Sequence, residues 1–242
     1  MPIMGRPPQI LACSGIIRPP EGLPPERLGA QIGQAMRLAE VARPRACYIA
    51  TAVGDQRPYI DRWYERASRH GPADLTHLEL FVQPNVPDVA AHLLKQDVIF
   101  VSGGSVVNLL AVWRVHRLDE ILRDCWDRGV VLAGWSAGSL CWHSGGVTDS
   151  FGDSLTVLND GLGFLPFSNG VHDDLPDQPR RARYRRAVAD GLLPAGHATE
   201  DGVALHYVGT RLHRALAVLP DRRAWHVEPQ RVTAVEPELW IP

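Results

Sequence analysis

Short apolar runs alternate with longer amphipathic segments over the first 140 residues of the chain. The apolar runs predict strands at residues 9–14, 46–53, 75–82, 97–102 and 130–135. Between these runs, apolar positions recur at helical spacing near residues 25–41, 58–70, 86–95 and 106–128. Such alternation is typical of an α/β fold with a mostly parallel sheet flanked by helices.

After residue 140 the pattern changes to shorter units that are richer in Gly and Asp. A very basic segment, RRARYRRAVADGLL, predicts one further helix. Strand-like pieces then follow at residues 203–208, 214–219, 224–227 and 232–235, and their spacing predicts a C-terminal β meander. The prolines at 19, 20, 24 and 25 mark a loop, and Pro25 suits the first turn of the helix that follows, where its missing N–H costs nothing.

Length, composition and charge limit the classes of protein that the chain could represent. With 242 residues, 45% of them apolar, it can bury a full core, and we expect a single domain over residues 1–242. The 25 basic and 27 acidic side chains are mixed along the chain, so the basic footprint of a nucleic-acid binder is missing. No run approaches about 18 apolar residues, and the N-terminus has no apolar stretch of signal-peptide length, so we expect a cytoplasmic protein without a membrane partner.

The cysteines show neither CxxC spacing nor clustering, and they stand at positions 13, 47, 125 and 141. Cys13, Cys47 and Cys141 lie in apolar stretches. Buried free thiols are therefore favoured over disulfides or a zinc site.

The first candidate for chemistry is the segment GWSAGS, in which Ser136 stands between Gly134 and Gly138 directly after a predicted strand. G-x-S-x-G after a strand and before a helix is typical of a nucleophile held on a sharp turn. A serine hydroxyl also needs a base, and the base needs a third group to orient it. The alternative is a small residue in an ordinary loop.

A second glycine-rich segment, Ser102-Gly103-Gly104-Ser105, also follows a predicted strand. Ligands of open parallel sheets bind outside the carboxyl ends of the strands, so the two segments can share one crevice. We expect the backbone N–H of Gly103 or Gly104 to form an oxyanion hole with that of Ala137, and Ser105 to contact the substrate. The alternative is a tight turn without a function.

Among ten histidines, His172 is the leading candidate for the base because it lies in a polar loop, FSNGVHDDLPDQP, downstream of the serine. His197 and His206 are weaker candidates, and His143 is expected on the same helix as Ser136, pointing elsewhere. Solvated positions on helices, strand edges and charged loops account for five more, His70, His77, His92, His116 and His213. For the acid, Glu200 and Asp201 precede a glycine and a strand, but composition alone does not separate them from Asp149, Asp153, Asp160 or Asp173.

Four features follow one another along the chain: IFVSGGSVVNLL, GWSAGS, a loop histidine and an acid–glycine pair before a strand. In this order they resemble the peptidase E (aspartyl dipeptidase) family, which includes cyanophycinase-like members. The resemblance runs from about residue 9 to 227 and is sharpest over 99–142. It implies a flavodoxin-like or class I glutamine-amidotransferase-like α/β fold. It also implies a serine hydrolase with the chain order Ser, His, acid, whereas an α/β-hydrolase has the order Ser, acid, His.

The resemblance assigns the nucleophile to Ser136, the base to His172 and the acid to Asp201 or Glu200. An acid directly before glycine is usual in the family, which favours Asp201, and a proposed alternative acid would correspond to Asp149. Neither a metal nor an organic cofactor is implied.

Family members that cleave after an N-terminal aspartate use an arginine that follows the catalytic histidine. Here the matching segment is PRRARYRRA, and Arg183 is the nearest match among several arginines, the others being Arg180, Arg181, Arg185 and Arg186. Val171 also replaces the proline that often precedes the family's histidine. A carboxylate clamp and a basic helix face that is merely solvated both remain open.

The leading functional hypothesis is a serine peptidase that hydrolyses short peptides, with a preference for an acidic N-terminal residue as its finer part. One alternative is a non-catalytic ligand-binding or regulatory member of the same fold, in which Ser136 binds an anion. Another is an acyl hydrolase with non-peptide substrates. A homodimer is common among enzymes of this size and is the expected oligomeric state.

Overall fold

The computed structural model of the protein describes residues 5–15 and 29–240. Its strands, in chain order, are β1 (Gln9–Cys13), β2 (Arg45–Ile49), β3 (Asp74–Leu78), β4 (Val98–Val101), β5 (Val131–Trp135), β6 (His143–Thr148), β7 (Thr156–Leu158), β8 (Leu165–Gly170), β9 (Gly196–Thr199), β10 (Val203–Val208), β11 (Arg211–Ala217), β12 (Ala224–Glu228), β13 (Arg231–Val235) and β14 (Glu238–Leu239). Its helices are α1 (Ala30–Leu38), α2 (Arg57–Ala67), α3 (Val89–Leu93), α4 (Val106–Val115), α5 (Leu118–Asp127), α6 (Ala137–Leu140) and α7 (Arg180–Ala189), with 3-10 turns at Thr51–Val53 and Ser68–His70.

The larger sheet has the strand order β14-β11-β10-β1-β5-β4-β2-β3. Strands β1, β5, β4, β2 and β3 run parallel to one another, while β10 is antiparallel to β1. All five strands predicted in the first 140 residues are present in this sheet. The prediction of a mostly parallel sheet flanked by helices is therefore confirmed.

Both faces of the larger sheet are covered, as the apolar runs of its strands require. In β1, Ile10 packs into one core cluster with Trp113 of α4, while its neighbour Leu11 packs into a second cluster with Ile32 of α1 and Trp63 of α2. Successive side chains of a strand point to opposite faces, so helices α1 and α2 lie on one face and α4 and α5 on the other. The carboxyl ends of the parallel strands are left open between these layers.

A second sheet, with the order β13-β12-β9-β8-β6-β7, was not predicted from the sequence. The four C-terminal strands were predicted at nearly the right positions, but they do not form one meander. Strands β10 and β11 form a hairpin in the larger sheet, whereas β12 and β13 form a hairpin in the smaller sheet, where β12 pairs with β9. Periodicity identifies strands but not their partners, and these partners are distant in the chain.

The predicted helix over residues 106–128 is two helices, α4 and α5. Arg117 lies between them with a φ of 55°, a left-handed conformation that an α-helix cannot contain. The apolar spacing continues across the break because Trp113 and Leu122 pack into the same core cluster. Helix α1 begins at Ala30, so the predicted loop at prolines 19, 20, 24 and 25 lies outside the described residues.

All four cysteines are buried and free, as the sequence predicts. Burial raises the pKa of the Cys47 and Cys125 thiols to about 12, so neither is a thiolate near neutral pH. Within the part of the chain that the structure describes, none of the helices has the length and apolar character needed to cross a membrane.

Candidate active site

Ser136 lies on the turn between β5 and α6, at the carboxyl edge of the larger sheet. Its φ of 51° and ψ of −108° are rare for a residue with a side chain, and they lift the hydroxyl out of the line of the strand. The Ser136 N–H holds the turn in place by donating to the carbonyl oxygens of Cys13 (3.1 Å) and Ser14 (2.7 Å) at the end of β1. This is the strand–turn–helix context that the G-x-S-x-G pattern predicts.

The glycines of the pattern allow backbone segments to approach closely. A Cβ on Gly134 would lie 2.4 Å from the carbonyl oxygen of Gly138, and a Cβ on Gly138 would lie 2.4 Å from that of Val101 in β4. Real Cβ atoms do not approach oxygen this closely, so a side chain at either position would displace the turn. Both glycines are therefore required by the packing of the turn against β4.

His172 links Ser136 to an acid. Its Nε2 lies 2.9 Å from Ser136 Oγ, and its Nδ1 lies 2.6 Å from Asp201 Oδ1. The side chains of His172 and Asp201 are only 19% and 15% exposed, so water weakens this pair little. Asp201 Oδ1 accepts a hydrogen bond from Nδ1–H, which leaves Nε2 free to accept one from the serine hydroxyl.

Ser14 and Gly15, which follow β1, support this arrangement. Neither was predicted as a site residue from the sequence. The buried Ser14 Oγ accepts from the His172 N–H (2.8 Å), donates to the Thr199 carbonyl oxygen (3.0 Å) and lies 3.5 Å from Asp201 Oδ1. A Cβ on the next residue, Gly15, would lie 2.3 Å from Asp201 Oδ1. Their position could have identified them, because β1 and β5 are parallel neighbours whose carboxyl ends meet at one edge.

The other candidate acids have different partners. Glu200 lies next to Asp201 in sequence, but its Oε1 is 3.3 Å from Arg181 and its Oε2 accepts the Arg223 N–H at 3.0 Å. Asp149 pairs with Arg180 at 2.7 Å. Among the described residues, Asp201 is the carboxylate that contacts His172.

The other histidines considered as bases are buried elsewhere. His197 Nδ1 lies 3.0 Å from the Tyr207 hydroxyl, and His206 Nε2 lies 2.8 Å from Gln9 Oε1. Burial lowers the pKa of both imidazoles to about 4. His143 was expected on the helix of Ser136, but α6 ends at Leu140 and His143 begins β6. None of the three contacts Ser136 in the described structure.

The segment after β4 approaches the serine from the other side. Gly103 lies so near that its Cβ would be 3.4 Å from Ser136 Cβ, and Gly104 has a φ of 133° and a Cβ position 2.3 Å from the Ala52 carbonyl oxygen. Among the hydrogen bonds of the described residues, none uses the N–H of Gly103, Gly104 or Ala137 as donor. These three donors are therefore available to an oxygen beside Ser136.

A cleft of about 1020 Å³ contains this site. It opens at the carboxyl ends of β1, β2, β4 and β5, and its lining includes Gly103, Gly104, Ser136, His172 and Asp201. Ser105, predicted to contact the substrate, lines the cleft, and its Oγ caps helix α4 by accepting the Asn108 N–H at 3.2 Å.

Arg183, predicted to bind substrate, does not line this cleft. It lies one turn inside α7, where its Nε donates to the Leu155 carbonyl oxygen at 3.4 Å. The first residue of α7, Arg180, reaches the cleft instead, because this end of the helix faces it. The Arg180 side chain is 7% exposed and its charge is compensated by Asp149 at 2.7 Å. Among the arginines of α7, the one that lines the cleft is therefore Arg180, one helical turn before Arg183.

The fold and the Ser–His–Asp chain define a class, the α/β hydrolytic enzymes that use a serine, and comparison with known proteins places the chain within it. The profile of Peptidase family S51 matches residues 31–215. The "Uncharacterized peptidase YgaJ" of Bacillus subtilis (strain 168) is 40% identical over 185 residues, which cover 76% of this chain and 78% of that relative. This chain belongs to peptidase family S51 and is a serine peptidase.

Solved structures show the same fold at low sequence identity. A crystal structure of a peptidase from an acI-B1 Actinobacterium superposes with a TM-score of 0.67 at 16% identity and covers 97% of this chain and 96% of its own. A putative peptidase E protein from Listeria monocytogenes EGD-e gives a TM-score of 0.55 at 14% identity and covers 95% and 98%. The family resemblance and the flavodoxin-like fold inferred from the sequence are confirmed.

Proposed function

We propose that the chain hydrolyses short peptides in the manner of a dipeptidase, with Ser136 as nucleophile, His172 as general base and Asp201 as the acid that orients the imidazole. One observation carries the proposal: the unbroken hydrogen-bond chain from Ser136 Oγ through His172 to Asp201 Oδ1 at the mouth of the cleft. Adjacent contacts within 3 Å are the geometry that activates a serine hydroxyl.

In the first half of the reaction, Ser136 Oγ attacks the scissile carbonyl carbon while its proton passes to His172 Nε2. The imidazolium is stabilised by the carboxylate of Asp201, and it then gives the proton to the leaving amine. In the second half, water attacks the acyl carbon while His172 Nε2 takes its proton. The bond from Ser136 Oγ to the acyl carbon then breaks, His172 returns the proton to Ser136 Oγ, and the carboxylic acid product leaves. Besides groups of this chain and of the substrate, the reaction consumes one water.

The negative charge that develops on the carbonyl oxygen needs fixed donors. The N–H groups of Gly103, Gly104 and Ala137 are suited to this role because they flank Ser136 and have no acceptor among the described residues. Loss of one oxyanion donor in a serine protease costs about 10² to 10³ in kcat. The Ser105 N–H donates to the Ala52 carbonyl oxygen at 2.8 Å, and this bond anchors the segment beside Ser136.

An active-site serine probe tests the proposal. A fluorophosphonate should label the wild-type protein at Ser136, and Ser136→Ala should abolish labelling and lower kcat on dipeptides by about 10⁴ to 10⁶. Ser154→Ala is the matched control, since Ser154 is an exposed serine outside the cleft, and it should label like the wild type.

The alternatives have distinct outcomes in the same experiment. A folded wild-type protein that takes up no probe would contradict the proposal and favour a ligand-binding protein. Labelling at Ser136 with turnover of esters, but of no peptide in a panel of acidic and neutral dipeptides, would favour an acyl hydrolase.

A further inference from the structure

One face of α2 forms a wall of the cleft that the triad does not use. Tyr59, Arg62, Trp63 and Arg66 all line the cleft. Their spacing of three, four and seven residues puts them on one face of the helix. The proposed reaction uses neither Arg62 nor Arg66.

The arginines of α2 differ sharply in their partners. Arg57 pairs with Asp61 at 2.8 Å, and Glu65 pairs with Arg69 of the following 3-10 turn at 2.6 Å, and both pairs are exposed. Arg62 and Arg66 form no ion pair among the described residues. Two of the carboxylates that line the cleft, Asp149 and Asp201, are committed to Arg180 and His172. Asp177, the third carboxylate of the lining, forms no ion pair with either arginine in the described structure. The cleft wall formed by α2 therefore carries two arginines without a paired carboxylate.

The surroundings of Arg66 strengthen its attraction for an anion. Arg66 is half-buried, and burial, followed by the nearby charge of Arg62, lowers the pKa of its guanidinium from its ordinary value. A guanidinium nevertheless stays charged at neutral pH. Arg62 is exposed, and its guanidinium lies over the Tyr59 ring, 5.7 Å from the ring centroid. A carboxylate that contacts both guanidinium groups offsets the repulsion between them.

The wall is also fixed relative to Ser136. Trp63, between the two arginines in sequence, stacks on Tyr48 with ring centroids 5.0 Å apart and packs against Phe100 at 5.6 Å. Phe100 in turn packs against Trp135, the residue before the serine, at 4.3 Å. A continuous layer of aromatic rings thus connects the arginine face of α2 to the residue before Ser136. This packing fixes the position of α2 relative to Ser136.

We propose that Arg62 and Arg66 form a carboxylate-binding subsite, which holds one carboxylate of a short peptide while the scissile carbonyl lies at Ser136. The inference rests on the proposed function for the position of the scissile bond. Two sources supply the same chemistry, namely the C-terminal α-carboxylate of the peptide and an acidic side chain. The subsite lies on α2, upstream of Ser136 in the chain, and not on the helix after His172.

Calorimetric binding to the full-length Ser136→Ala protein tests the subsite without turnover. The probes are Ala-Ala and its C-terminal amide for the α-carboxylate, and the amides of Asp-Ala and Asn-Ala for the side chain. We expect one carboxylate peptide to bind about 10-fold to 100-fold more tightly than its neutral counterpart. Arg62→Gln and Arg66→Gln should each reduce that ratio, and the double variant should bring it to about one.

Arg57→Gln is the matched control, because it removes the same charge from the same helix at a position paired with Asp61, and it should keep the ratio. Arg66→Lys should restore part of the ratio, because an ammonium keeps the charge without the bidentate geometry. The inference is overturned if neither carboxylate is preferred, or if the preference survives in the double variant.

Failure of the inference and failure of the proposed function are distinguishable. A carboxylate preference that depends on Arg62 and Arg66, in a protein whose Ser136 takes up no probe, supports the subsite and contradicts the catalytic role. Labelling of Ser136 without any carboxylate preference supports the catalytic role and contradicts the subsite.

Discussion

The positions of Ser136 and His172 depend on particular neighbouring residues. Ser136 needs the turn that Gly134 and Gly138 allow, and His172, with a φ of 57°, is held by the Ser14 hydroxyl. The sequence indicated the serine and the histidine because each stands in a recognisable context. It did not separate Asp201 from Glu200, since neighbouring carboxylates before a glycine look alike until the histidine is placed.

Two substitutions of a carboxylate by its amide test which residue is the acid of the triad. Asp201→Asn should lower kcat by about 10⁴, because the neutral amide no longer stabilises the imidazolium or fixes its tautomer. Glu200→Gln should leave kcat near the wild-type value, since Glu200 contacts Arg181 and the Arg223 N–H. Steady-state kinetics on the best dipeptide of the panel gives both values, and a reversed order would assign the role of acid to Glu200.

Gly15 offers a test of positioning. In Gly15→Ala the new methyl group would meet Asp201 Oδ1 at 2.3 Å and His172 Cε1 at 2.6 Å, so both side chains must move. A misplacement of this size costs about 10² in rate. We expect fluorophosphonate labelling to slow accordingly while circular dichroism stays that of the folded protein. Labelling at the wild-type rate would show that the pair tolerates displacement.

At the scale of elements, the sequence predicted what local periodicity controls. The strands β1, β2, β4, β5 and β10 lie within one to four residues of their predicted limits. The helix break at Arg117 and the second sheet were not predicted, because one depends on a single backbone conformation and the other on pairing between distant strands. The sequence did not indicate that Arg180 lines the cleft, for a similar reason, since which end of α7 meets the cleft depends on packing.

Ser105 separates a structural role from a binding role. Its Oγ accepts the Asn108 N–H at the start of α4, so Ser105→Ala should lower the free energy of unfolding by about 1 kcal/mol, whereas Ser105→Asn should retain most of it. Urea titration measures both changes. If Ser105 instead serves mainly to bind substrate, the alanine variant will raise KM without changing the urea midpoint.

Across the whole molecule, buried histidines make stability depend on pH. His197 in β9 and His206 in β10 are each nearly inaccessible, and burial lowers their pKa values from 6.5 to about 4. Between these values the unfolded chain binds protons that the folded protein does not. The contribution of each neutral histidine is therefore complete above about pH 6.5 and is lost as the pH falls toward 4.

Each histidine should contribute a slope of up to about 1.4 kcal/mol per pH unit within this window. Urea unfolding of the wild type and of His206→Gln, at several pH values between neutrality and pH 4.5, measures the difference. The variant should lose stability less steeply on acidification, whatever its stability at neutral pH. Parallel pH profiles would mean that the pKa of His206 is the same in the folded and unfolded protein.

The position of β1 between β5 and β10 affects when the proposed site can form during synthesis of the chain. Ser14 and Gly15, which follow β1, are made early, while Asp201 and strand β10 emerge almost 190 residues later. The proposed hydrogen-bond chain from Ser136 to Asp201 therefore cannot form on a nascent chain from which Asp201 has not emerged. A chain that ends before residue 201 lacks the proposed acid, and we expect it to be inactive on dipeptides.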